Sequence, residues 1–168
     1  MSNNIILIGF MGAGKSSVGR ELAKLLNYIF IDTDALIESN LNLKIKDIFN
    51  QFGEDYFRAF ERRICEWLFS YVNNCVIATG GGAPLHWEGL PYLNTGRIIF
   101  LNTSLENIKC NLKGDFSRPL FKENNLSNLY ESRIEIYKKI AHHKIDCNKD
   151  SIQDIAIKIV RSLECMPC

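Results

Sequence analysis

The stretch Gly9-Phe10-Met11-Gly12-Ala13-Gly14-Lys15-Ser16 follows the aliphatic run Ile5-Ile6-Leu7-Ile8. It precedes apolar residues at helical spacing, Val18, Leu22, Leu25 and Leu26. A G-x-x-x-x-G-K-[ST] segment between a strand and a helix leaves few folds open. Its glycines let the backbone curl until successive N–H groups face an anion, and the helix N-terminus adds partial positive charge. Lys15 brings a full charge to the outer phosphates, and the Ser16 hydroxyl suits magnesium. Gly12, Ala13, Gly14, Lys15, Ser16 and the following Ser17 are therefore expected to hold a nucleoside triphosphate, with Mg2+ as its metal. The loop alone does not name the reaction, since switches, ATPases, motors and small-molecule kinases share it.

The rest of the chain must supply a parallel sheet. Buried strands are expected at 4–9, 28–33, 75–79 and 97–101, with a short fifth at 144–147. Helices are expected at 15–27, 34–71 (interrupted near 40–42 and at Gly53), 104–112, 126–141 and 151–163. On the second of these Phe57, Phe60, Ile64 and Leu68 share a face, and on the last Ile152, Ile155, Ile159 and Leu163 form the inner stripe. Strands alternating with helices imply an α/β chain, three layers deep, whose sheet is covered on both faces and whose ligands sit beyond the strands' carboxyl ends. A length of 168 residues suits one domain, 1–168, with a single sizeable core and little room for a motor or separate effector. Within it lie the loop at 9–16, an acceptor region at about 34–62 and a polar, mobile lid at about 113–125.

A net charge of +1 excludes a nucleic-acid coat and a polybasic membrane anchor. No apolar run approaches the ~18 residues of a membrane span, and the first residues lack the positive n-region of a signal peptide. The cysteines, at 65, 75, 110, 147, 165 and 168, lack the paired spacing of a zinc site and are expected as reduced, mostly buried thiols of a cytoplasmic protein. His142 and His143 are expected on different faces of a helix, at the surface.

Phe30-Ile31-Asp32-Thr33-Asp34 places two acids close behind the anion loop. Strand alternation puts Asp32 and Asp34 on one side and Thr33 on the other. The third strand ends in Thr79, where many phosphate-loop proteins carry a metal-binding acid. Asp32, beside Ser16, is the group left to hold magnesium's water shell. Asp34 lies farther out and can accept a proton from a substrate hydroxyl, or serve as a helix N-cap. Arg58 and Glu61 share a helix face, so Glu61 can hold the guanidinium. Arg133 offers a second planar fork for a carboxylate. Gly80-Gly81-Gly82 brings bare backbone close to the same edge. Arg118, in the lid, can reach the transferring phosphoryl group. The acceptor this describes carries a carboxylate and hydroxyls.

These residues resemble bacterial shikimate kinase over nearly the whole chain. The resemblance rests on G-F-M-G-A-G-K-S-S-V-G-R, F-I-D-T-D, G-E-D-Y-F-R-A-F-E, A-T-G-G-G, R-P-L and L-Y-E-S-R-I-E-I-Y, in that order. It implies a nucleoside-monophosphate-kinase-like fold with five parallel strands ordered 2-3-1-4-5. It implies transfer of the ATP γ-phosphate to the 3-hydroxyl of shikimate, on the route to chorismate and the aromatic amino acids. Carried over by residue, Asp34, Arg58, Arg133 and Gly80 to Gly82 hold shikimate, with Phe57, Pro119 and Leu120 walling its ring. Lys15 and Arg118 serve phosphoryl transfer, and Ser16 and Asp32 serve magnesium. The partners are then ATP and shikimate, with no nucleic acid and no membrane, and the chain is expected to work as a monomer.

Three positions depart from the family. Glu135 stands where a proline is frequent, Asn111 stands where an arginine stacks on adenine, and Asn148-Lys149-Asp150 lacks the late adenine-loop arginine. Lys113 or Lys149 is then left to face the base. Two other readings stay open: a kinase of another hydroxy acid such as gluconate, and a nucleotide-dependent binding protein without phosphoryl transfer.

Overall fold

The structure is a computed structural model, and it describes residues 3–88, 96–112 and 126–164. Five parallel strands, β1 (Ile5–Ile8), β2 (Ile29–Asp32), β3 (Cys75–Ala78), β4 (Arg97–Asn102) and β5 (His143–Asp146), lie in the order 2-3-1-4-5. The helices are α1 (Lys15–Leu26), α2 (Thr33–Leu41), α3 (Ile45–Tyr71), α4 (Leu105–Asn111), α5 (Leu126–Ile140) and α6 (Ile152–Glu164), with a 3₁₀ turn at Ala83–His86.

β1 is central, and all four of its residues are buried. Its alternation divides the core. Ile5 and Leu7 pack with Val18 and Leu22 of α1 and Ile155 and Ile159 of α6. Ile6 and Ile8 pack with Leu68 and Phe69 of α3, Ile108 of α4 and Ile134 and Tyr137 of α5. Helices thus cover both faces, and the expected three layers stand. Each of these aliphatic side chains contributes roughly 1.5–3 kcal/mol through burial. A smaller cluster of Ile37, Ile48 and Phe57 holds α2 against α3 beside the sheet edge.

Some boundaries differ from expectation. Thr33 is not the last strand residue but the first of α2, because Asp32 caps that helix: its Oδ1 accepts from the N–H groups of Asp34 (3.0 Å) and Ala35 (3.3 Å). The alternation argument for Asp32 and Asp34 therefore fails, since Asp34 is helical, and the capping role falls to Asp32. Leu25 and Ile152, expected on inner stripes, are 50% and 44% exposed, while Ala23 and Ala156 are buried in their clusters. Small residues fill the close helix–sheet contacts, a choice that periodicity alone does not register. His142 and His143 are not helical. α5 has ended, His143 opens β5, and the Nδ1 of exposed His142 accepts from the Ile98 N–H at 2.9 Å. Among the described residues, no helix is long and apolar enough to cross a membrane.

Candidate active site

The loop after β1 turns back on itself through Ala13 N–H to Phe10 O (3.1 Å), and α1 starts behind Gly14. Lys15 is 8% exposed, and its ammonium donates to the carbonyls of Gly9 (2.8 Å) and Phe10 (2.9 Å). The lysine is thus folded across the loop, its charge held at the anion's place. Ser16 Oγ donates to Asp32 Oδ2 at 2.6 Å, so the two oxygens proposed for magnesium stand side by side. Thr79, at the position of the absent acid, instead donates to the Leu7 carbonyl at 3.1 Å. A cavity of about 690 Å³ opens here, lined by residues 12–18, Asp32 and Asp34 and continuing past Asn107, Asn111, Asn148 and Asp150.

A second cavity, about 470 Å³, is lined by Asp34, Phe57, Arg58, Glu61, Gly80, Gly81, Gly82 and Arg133. Every described residue expected at the acceptor is in that wall. Asp32 and Asp34 line both cavities and form the wall that the two share.

The acceptor wall is strongly charged, and part of it is buried. Arg58 donates through NH1 to Glu61 Oε2 at 2.7 Å, as the spacing predicts, and through Nε and NH2 to Glu54 Oε1, each at 3.2 Å. Glu61 is 1% exposed, and among the described residues its Oε1 has no hydrogen-bond partner. Burial, aided by the neighbouring charge of Asp34, pushes its carboxyl up to about 7, against the opposing pull of Arg58 and Arg133. A Cβ on Gly80 would fall 2.5 Å from Glu61 Oε1 and 2.7 Å from Asp34 Oδ1, and one on Gly82 would fall 2.6 Å from both terminal nitrogens of Arg58. Two of the three glycines are therefore spaces into which ionic side chains fold.

Arg133, on α5, is 4% exposed with its Nε unpartnered. Burial lowers its pKa, opposed by the neighbouring Tyr137 hydroxyl. Burial in turn pushes Tyr137 up to about 12, and its hydroxyl donates to the Gly81 carbonyl. Tyr137 thus ties Arg133 to the triple glycine. Thr33 has a like role at the other end, its Oγ1 accepting from Gly80 N–H at 3.1 Å. Sequence reasoning missed Tyr137, Thr33 and Glu54. Tyr137 lies four residues after Arg133 on one helix face, a signal that was available.

The departures have structural consequences. α5 runs unbroken through Glu135, which pairs with Lys138 at 2.7 Å, and Arg133 still faces inward. Asn111 Nδ2 donates to the Gly12 carbonyl at 2.9 Å, tying the end of α4 to the phosphate loop. Asn148 Oδ1 accepts from Ser104 N–H at 2.7 Å, fastening the loop before α6 to the start of α4. Lys113, Arg118, Pro119 and Leu120 lie outside the described residues.

The family model described as shikimate kinase matches residues 11–164. A shikimate kinase of Clostridium botulinum is 45% identical over 165 residues, covering 95% of each chain. One of Helicobacter hepaticus is 40% identical over 166 residues, covering 97% of this chain and 95% of the relative. Among solved structures, shikimate kinase from Acinetobacter baumannii in complex with shikimate superposes with a TM-score of 0.89 at 34% identity, covering 98% of this chain and 94% of the other.

Proposed function

The chain belongs to the shikimate kinase family, and from that premise we infer that it is an ATP-dependent kinase transferring the γ-phosphate of ATP to the 3-hydroxyl of shikimate. The products are ADP and shikimate 3-phosphate, on the route to chorismate and the aromatic amino acids. The observation that carries this reading is the shared wall: Asp32 and Asp34 border a cavity holding Lys15 and one holding Arg58 and Arg133. Neither alternative, a gluconate-type kinase or a non-catalytic binding protein, is favoured by this family membership.

The geometry of the described residues supports the following roles. Backbone N–H groups of residues 12–17 and the ammonium of Lys15 hold the β- and γ-phosphates. Arg58 and Arg133 hold the carboxylate of shikimate, with Glu61 fixing Arg58 and Phe57 beside the ring. Asp34 accepts the proton of the 3-hydroxyl as its oxygen bonds to the γ-phosphorus and the bond to the ADP oxygen breaks. The transition state of such a transfer is loose, so positioning and charge neutralisation supply most of the rate. Arg118 adds positive charge at the transferring group, and Pro119 and Leu120 close the ring's outer side, as the family resemblance implies.

The pair Ser16 Oγ and Asp32 Oδ2, 2.6 Å apart, fits Mg2+, which takes one or two protein oxygens and keeps several waters. When bound, the ion neutralises phosphate charge. Among the described residues Cys65, Cys75, Cys110 and Cys147 are free thiols.

ADP release, followed with ATP and magnesium against shikimate and gluconate in turn, tests the reading. Turnover with shikimate is expected; turnover with gluconate alone would overturn it. In the Arg58→Ala variant, loss of the fork should cost about 2–5 kcal/mol in acceptor binding, and an unchanged KM for shikimate would remove Arg58 from the site.

A further inference from the structure

Arg58 carries five N–H donors, of which Nε and one on NH2 form its side edge. Both of those go to a single oxygen of Glu54, at 3.2 Å each. Glu61 takes a third through NH1 at 2.7 Å. The guanidinium lies over Gly82, with the Phe57 ring centroid 5.1 Å from its carbon. Among the described residues two donors are left, one on each terminal nitrogen.

Glu54 owes its place to Gly53. There the backbone takes φ 84° and ψ 171°, a break that divides α3 in two. Nothing lies within 4 Å of a Cβ built on Gly53, so glycine is required there by conformation rather than by crowding. The break makes Glu54 the first residue of the second half, where a helix N-terminus favours a carboxylate. It also sets Glu54 one turn ahead of Arg58, close enough to pair along the helix. Arg58 lines the acceptor cavity and Glu54 does not, so Glu54 grips the guanidinium from behind.

We propose that Glu54 is a positioning residue that sets acceptor specificity: by occupying the side edge of Arg58 from outside the pocket, it turns the two remaining N–H groups toward the acceptor's carboxylate. The carboxylate's angle on Arg58 then decides where the ring's hydroxyl stands relative to Asp34. Glu54 is half-exposed, and Arg58, 12% exposed, keeps its pair with buried Glu61 when Glu54 is removed, so the fold survives the loss. The inference rests on the assignment of Arg58 to the acceptor's carboxylate.

The test is steady-state kinetics with shikimate and ATP for Glu54→Ala, Glu54→Gln, Arg58→Ala and the double variant Glu54→Ala/Arg58→Ala, with the thermal midpoint of each. Glu54→Ala should raise the KM for shikimate about ten-fold through misplacement of the fork, leaving the KM for ATP and the midpoint as they are. Glu54→Gln, whose amide oxygen still accepts both N–H groups, should stay within about three-fold of wild type. In the Arg58→Ala background the Glu54→Ala effect should vanish, because the two act as one unit. An unchanged or lowered KM for shikimate in Glu54→Ala overturns the proposal, as does an equal rise in the KM for ATP or the same effect without Arg58. A wild-type chain silent toward shikimate would overturn the kinase reading and this inference with it. A wild-type chain that turns over shikimate while Glu54→Ala shares its KM overturns the role of Glu54 alone.

Discussion

In the phosphate cradle, the ammonium of Lys15 bonds to carbonyls five and six residues back along the chain. In the acceptor pocket, the Tyr137 hydroxyl meets a carbonyl 56 residues away, and Thr33 meets an N–H 47 residues away. The cradle is a local object, made of backbone donors and a helix end. The pocket is a meeting of side chains from α2, α3, the turn after β3, and α5. The two respond to damage differently. A cradle residue carries its own chemistry, whereas a pocket residue also carries the placement of its neighbours, so a change at one glycine there can act through an arginine.

Four variants would break or sharpen this contrast. Lys15→Ala should have the largest effect, lowering kcat ~10²–10³-fold through loss of a charge-stabilising donor. Shikimate affinity by calorimetry should barely change, and a matching fall in both would mean the two regions are not separable. Gly82→Ala should come next. Its Cβ would sit 2.6 Å from NH1 and NH2 of Arg58, so the guanidinium must leave its seat and the KM for shikimate should rise ~10–10²-fold. Nucleotide affinity should hold, and an unchanged KM for shikimate would show that Arg58 is not confined by the glycine.

The third variant, Glu61→Gln, is read by urea unfolding between pH 5 and 8. Burial raises the folded carboxyl from 4.5 to about 7. Below pH 4.5 both folded and unfolded chains hold the proton. Between 4.5 and about 7 only the folded chain does, so this group's contribution to stability declines as pH rises and levels off above 7. Glu61→Gln should flatten that slope and be the more stable protein at pH 8, by on the order of 1–3 kcal/mol. Parallel pH profiles would deny the buried charge. Asn111→Ala is expected to do least, weakening nucleotide binding by a few-fold as one hydrogen bond of ~1 kcal/mol to the phosphate loop is lost. A large loss there would make α4 part of the cradle.

The same contrast decides how much could be read before the coordinates. The phosphate loop, the strand order implied by family resemblance, and the Arg58–Glu61 pair all rest on residues near in sequence or on an ordered motif set. The assignment of Asp34 to strand alternation failed, because Asp32 accepts two N–H groups from α2 and ends β2 one residue early. Glu54 and Tyr137 stood in plain view at helical spacing, yet nothing local says that one closes the back of Arg58 and the other joins Arg133 to Gly81. The exposed Leu25 and Ile152 show a related limit: periodicity marks a face, not how closely that face approaches the sheet.

From its residues alone this chain is committed to a parallel sheet, a phosphate-binding turn and a carboxylate-binding acceptor site, because each depends on backbone geometry or on a run of residues in fixed order. Only the tertiary structure decided that Asp32 and Asp34 stand between the two cavities, that Glu61 is buried until its carboxyl is pushed up to about 7, and that among the described residues Arg58 keeps two donors free. Those properties depend on desolvation and on distances between groups far apart in the chain. Neither exists until the sheet and its two helical layers have closed around them.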